Sequence, residues 1–289
     1  MLFLMFENMS NKRNGRASSQ TRSKATPQIR IWSKPISDSK EQMEILEKVK
    51  ISSQFGMRKR GLFEFYGDEL IAYKREKPKC SNRNKFLHFL STYFTEYLED
   101  NCPTSWQECH SLFWEEFLFA FYPTQLTITP NEKEVETFLF ELKKFTRWLD
   151  RKIGTSSYKL INQFIAESKD DLLECEYLLN QLLIHAYPEI FENKRHVEFS
   201  DLYKLKDVPD YENYKKLIFE IKEINNELVI ASDIYTNINY LIEGMPPQIL
   251  SPSILIYGVI GQNNGELIWT WQYPEHVMPL RTKKFIIGL

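Results

Sequence analysis

Apolar side chains recur at helical spacing through the first two thirds of this chain and at strand spacing through the last third. Met43, Ile45, Leu46 and Val49 follow Asp38, whose short carboxylate suits a helix N-cap. Between residues 61 and 77 the period changes. Leu62, Phe63, Phe65 and Tyr66 precede Gly67-Asp68, and Leu70, Ile71 and Tyr73 follow, a pattern that predicts a β-hairpin turning on the glycine. Helical spacing returns from about residue 84 with Phe86, Leu87, Leu90, Tyr93, Phe94, Tyr97 and Leu98. A second helix carries Leu112, Phe113, Trp114, Phe117 and Leu118 and stops at Pro123.

Thr129-Pro130-Asn131-Glu132 is a helix start signal, with threonine as cap and proline at the first helical position. That helix turns Val135, Phe138, Leu139, Leu142, Phe145 and Leu149 inward, and Gly154 is its natural C-cap. Two more helices are predicted, one from residue 156 and one from residue 170, the latter with Asp170, Asp171, Glu174 and Glu176 in its first turns. His185 near its end reads as a packed histidine. A short helix over residues 211–224 precedes four β-rich runs, Leu228–Ile230, Ile238–Ile242, Ile254–Ile260 and Leu267–Trp271. Gly261 to Gly265 joins the last two as a hairpin.

The predicted fold class is therefore α+β. A mainly α-helical central domain is followed by a small C-terminal β-rich module, a sheet or partial barrel, and a disordered basic tail precedes both. The expected divisions are a tail at 1–36, a helix plus β-hairpin at 37–80, a helical domain at 81–195 and a β-rich domain at 196–289.

Composition sharpens this. The chain is 14% aromatic and 43% hydrophobic, enough to bury a core over most of its 289 residues. Net charge is only -2, but residues 1–36 hold seven basic side chains against Glu7. The rest of the chain is correspondingly acidic. "MLFLMF" is too short for the apolar core of an export signal and has no basic segment before it, and Met9 is an alternative start. With no apolar run near the ~20 residues of a membrane span, and four irregularly spaced cysteines, the expected location is cytoplasmic, without membrane partners.

Candidate chemistry is sparse. There is no P-loop, G-x-S-x-G, H-E-x-x-H or kinase set, and Gly258, Gly261 and Gly265 do not form G-x-G-x-x-G. Cys102 and Cys109-His110 lack a second pair at zinc-ligand spacing. No catalytic residue, cofactor or metal is assigned. Two basic groups are candidate polyanion sites: Arg58, Lys59, Arg60, Lys74 and Arg75 at the ends of the expected hairpin, and Lys144, Arg147 and Arg151 on one helix face. Edge-strand protection and pairing with Glu141 and Asp150 are the competing explanations. Trp269 and Trp271, in phase on one strand, are a candidate aromatic surface for stacking bases, against the alternative of barrel core.

Leu142, Phe145, Trp148 and Leu149 form L-x-x-F-x-x-W-L, which resembles one helix of the DNA-gripping domain of tyrosine recombinases. That family implies a His-x-x-Arg ahead of a nucleophilic tyrosine. His185, His196 and His276 all lack the arginine, so membership is not assigned.

The expected function is a non-catalytic interaction or regulatory protein that binds another protein. The alternative is a nucleic-acid-binding protein using the tail and the hairpin ends, with DNA or RNA as partner. The third is an enzyme without a recognisable motif.

Overall fold

A computed structural model describes residues 38–128, 133–188, 190 and 211–287. The tail at 1–36 and the Thr129 to Glu132 helix start lie outside these residues. The fold is α+β: the described residues form six helices in the first part of the chain and a five-stranded barrel after them. The chain forms two compact units, Met1–Glu108 and Cys109–Leu289. That division falls inside the stretch 81–195, because the helices after Cys109 share their core with the strands.

In the first unit, α1 (Ser39–Ser53) opens as expected, the Asp38 carboxylate accepting the Glu41 amide at 2.7 Å. The expected hairpin does not form. Lys59–Phe63 is a 3-10 turn and Gly67–Glu76 is a helix, α2. Gly67 is required for close approach rather than for a β-turn: a Cβ there would lie 2.1 Å from the Gly61 carbonyl oxygen. Asp68 and Glu69 then occupy the positive end of α2, and Lys74 and Arg75 its negative end. α3 (Ser81–Thr92) runs on through a π-turn, Tyr93–Tyr97. The core gathers aromatic rings around Phe94, which stacks on Tyr66 at 4.3 Å and meets Trp106 edge-on at 5.4 Å.

In the second unit, α4 (Ser111–Glu116) also continues through a π-turn, Phe117–Phe121, before a 3-10 turn that contains Pro123. α5 (Glu134–Ile153) ends at Gly154, whose φ of 82° is the left-handed cap expected there. The two helices predicted after it are one, α6 (Ser157–Ala186). Ser168, Lys169 and Asp170 look like a polar break, but nothing there disrupts a helix, and Lys169 bonds Glu136 across to α5 at 2.9 Å. Glu176 is therefore mid-helix. Its two oxygens accept the Glu134 and Val135 amides at 2.7 and 3.1 Å, so a side chain of α6 caps the start of α5. In return, Asp150 of α5 accepts the Ser157 and Tyr158 amides that open α6, each at 2.9 Å.

The expected short helix over 211–224 is instead β1 (Asn213–Asn225). With β2 (Leu228–Asp233), β3 (Asn239–Glu243), β4 (Ile254–Gln262) and β5 (Trp269–Pro279), it closes a barrel in the order β1-β2-β3-β5-β4. β1 is long because it pairs with β4 through its first part and with β2 through its second. The β3–β5 seam is parallel and short, Ile242 opposite Trp269 and Glu243 opposite Thr270. Two irregularities in the β4–β5 register leave Gln272 and Glu275 without an opposite residue, which bends β5. α6 packs along β5, and α7 (Lys283–Ile287) ends the described chain.

Candidate functional site

Three of the five basic candidates in the first unit, Arg58, Lys74 and Arg75, are engaged by its own fold. Arg58 Nε lies 2.7 Å from Glu96, and Arg75 lies 3.2 Å from Glu47. Lys74 does not stand on a surface at all. It is 1% exposed, and its ammonium donates to the Pro78 carbonyl and the Asn84 side-chain oxygen. Burial holds its amine below the ordinary lysine range. Beside it Arg83, also buried, lies over the Tyr73 ring at 3.7 Å. Lys59 and Arg60 sit on the 3-10 turn that packs against α2, not on paired strands. The convergence of strand ends that made these five residues a candidate site is therefore absent.

On α5, Lys144 pairs with Glu141 at 3.0 Å, as expected, and also covers the exposed Phe140 ring at 3.7 Å. Asp150 is committed to capping α6, and Arg147 lies over the Tyr158 ring at 4.4 Å and bonds its hydroxyl. Arg151 Nε donates to the Arg147 carbonyl at 3.3 Å.

Trp269 and Trp271 do not form an aromatic surface: they are 8% and 5% exposed. Trp271 meets Phe219 edge-on at 6.4 Å, and Trp269 meets Tyr240 at 5.7 Å, so the row fills the barrel. Gly258 makes room for it, since a Cβ there would lie 2.3 Å from the Trp271 ring. Lys215 reaches over the same end, 4.8 and 4.9 Å from the Tyr240 and Trp269 rings and 3.1 Å from the Tyr240 hydroxyl.

His276 is the most unusual polar side chain in the barrel, and sequence spacing gave no sign of it. It stacks on Tyr257 at 5.8 Å and is 8% exposed. Among the described residues neither ring nitrogen has a hydrogen-bond partner. Burial, with the nearby Lys216 charge, lowers its pKa to about 4. Lys216 is held in turn by an ion pair with Glu275. A histidine this weakly basic is a poor general base at neutral pH, and the neighbouring carboxylate is already paired. His185 is exposed rather than packed, with Nε2 3.0 Å from the Gly244 carbonyl. Among the described residues no group of His, Cys, Asp or Glu is placed to hold a metal ion, and no helix is long and apolar enough to cross a membrane.

The outer face of β1–β3 is different in kind. Register places Glu223, Ile230 and Leu241 in one row and Asn225, Leu228 and Glu243 in the next, all pointing away from the barrel interior. Val229, Ala231 and Ile242, on the opposite side of the same strands, are fully buried. No described helix of the second unit makes an extended packing contact with β2 or β3, and Leu228, Ile230 and Leu241 are only half-buried.

No family model, curated protein or solved structure matches this chain.

Proposed function

We propose that this protein is a non-catalytic interaction protein that binds another protein through its second unit. The observation that carries this reading is the partitioning of charge in the barrel. From residue 211 to 279 the chain holds Lys215, Lys216 and Lys222 as its only basic side chains apart from His276, against eight Asp and Glu. Each of the three lysines already has a partner: the Tyr240 hydroxyl, Glu275 and Glu220 respectively. Such a surface repels phosphate backbones, whereas nucleic-acid affinity is built on uncommitted Lys and Arg. The burial of Lys74 and of both barrel tryptophans also weighs against a folded nucleic-acid platform. A cytoplasmic setting fits the same reading.

Fluorescence anisotropy with short single- and double-stranded DNA and RNA, at low and moderate salt, tests it. Absence of saturable binding is the expected result. Salt-sensitive binding that survives removal of residues 1–36 would assign a folded nucleic-acid site and overturn the proposal.

A further inference from the structure

We infer that the outer face of β1–β3 docks a positively charged segment of a partner protein, with an apolar side chain seated on Ile230. This deepens the interaction reading above and rests on it. An antiparallel sheet with one solvated face ordinarily alternates apolar inside with polar outside. Here Ile230 faces outward directly opposite Leu241, with Leu228 two residues along on the same side, so the alternation fails at three neighbouring positions. The inner positions of the same strands are filled, and no described helix of the second unit spreads over the outer ones, so barrel packing does not account for them. Apolar patches rimmed by charged residues mark contact surfaces.

The charge around the cluster states what the contact must bring. Glu223 stands beside Ile230 across the β1–β2 register, Glu243 stands opposite Leu228, and Glu227 lies in the intervening turn. Glu223 accepts from the Asn225 amide at 2.8 Å and Glu243 from the Thr270 hydroxyl at 3.2 Å. Among the described residues no cation pairs with any of these three carboxylates. Everywhere else in the barrel a lysine is matched to its partner. Three carboxylates around an apolar centre complement a segment in which Lys or Arg flank an apolar residue, and they disfavour a polyanion.

The test titrates the full-length protein with a short fluorescent peptide of alternating lysine and valine, and with a control in which glutamate replaces each lysine. The lysine peptide is expected to bind saturably and more weakly as salt rises, and the glutamate peptide not at all. Glu223→Lys/Glu243→Lys and, separately, Ile230→Asp are expected to weaken binding by about tenfold or more, with melting temperatures close to wild type. Glu223→Gln/Glu243→Gln gives an intermediate loss without a reversed charge. Variants that bind the lysine peptide as wild type does, or wild-type protein that takes both peptides equally, would overturn the inference. So would single-stranded RNA binding that is lost in Ile230→Asp. The two levels separate in a parallel experiment with immobilised wild type and double variant in cell extract. A protein retained by both leaves the interaction reading standing and removes this face from it. Nucleic acid bound by wild type, with no protein retained, removes the interaction reading itself.

Discussion

Two faces of one barrel are treated oppositely by the rest of the chain. Along β5, α6 covers the outer surface, and the polar groups there are either paired, as Lys216 with Glu275, or held neutral, as His276. Across β2 and β3 no described helix of the second unit makes an extended contact, aliphatic side chains are only half-buried, and among the described residues Glu223 and Glu243 have no cation partner. Burial explains the contrast. A charge removed from water costs several kcal/mol unless it is matched, so the covered face has had to neutralise itself. A face open to water carries no such penalty and can keep both charge and apolar surface for a partner.

The comparison can be broken most severely from within. Trp271→Ala removes an indole that contacts Phe219 and the Gly258 backbone, and is expected to cost about 3–5 kcal/mol of unfolding free energy in urea titration. Ile230→Ala, on the open face, is expected to cost about 1 kcal/mol or less in the same assay. Near-equal losses would mean that the outer face is as tightly packed as the core.

Acid should distinguish the faces next. The unfolded chain protonates His276 near its ordinary value of 6.5, whereas the folded barrel does so only near about 4. The folded state therefore binds fewer protons in between, and stability falls as pH drops through that window, by about 3 kcal/mol in all, with no contribution from this group above neutrality. His276→Phe, which keeps the stack on Tyr257, should flatten that part of the stability–pH curve. An unchanged acid limb in this variant would show that His276 is not the group responsible.

Gly258→Ala should follow, at about 1–3 kcal/mol, since its Cβ would meet the Trp271 ring at 2.3 Å and the Tyr273 carbonyl at 2.8 Å. Gly265→Ala has open space around it, and only its φ of 86° resists the change, so about 1 kcal/mol is expected. Thermal melts of the two variants compare crowding with backbone strain at positions only seven residues apart. The smallest effect belongs to Glu223→Lys/Glu243→Lys, which should leave stability within about 0.5 kcal/mol while removing peptide binding.

Local chemistry was legible wherever a few adjacent residues decide the outcome. Asp38 caps α1, Gly154 ends α5, and the Asn-Gly run after Gly261 separates β4 from β5, each through short-range hydrogen bonds or allowed dihedral angles. The β-branched and aromatic runs of the last third marked four of the five strands, and the barrel alternative for Trp269 and Trp271 matches their burial. Legibility failed where one pattern serves two structures. Leu217, Ile218, Phe219 and Ile221 satisfy helical and strand spacing alike, and only pairing with β2 and β4 makes β1 a strand. Gly67-Asp68 suits a turn or a helix start, and the nearness of the Gly61 carbonyl decides between them.

Tertiary contact redrew the candidate sites for a related reason. A basic residue in a sequence carries no mark of its future partner. Lys74 became buried because Pro78 and Asn84 came round to accept its hydrogen bonds, and Arg58 met Glu96 from a different segment. The amino-acid order alone set the α+β character, the start of α1 at Asp38, the end of α5 at Gly154 and the acidic balance of the barrel, all of which follow from side-chain type and short spacing. Which charges were neutralised, which aromatics were enclosed and which face of the barrel stayed open were decided by tertiary contact, because desolvation depends on what is brought alongside a residue and not on what precedes it in the chain.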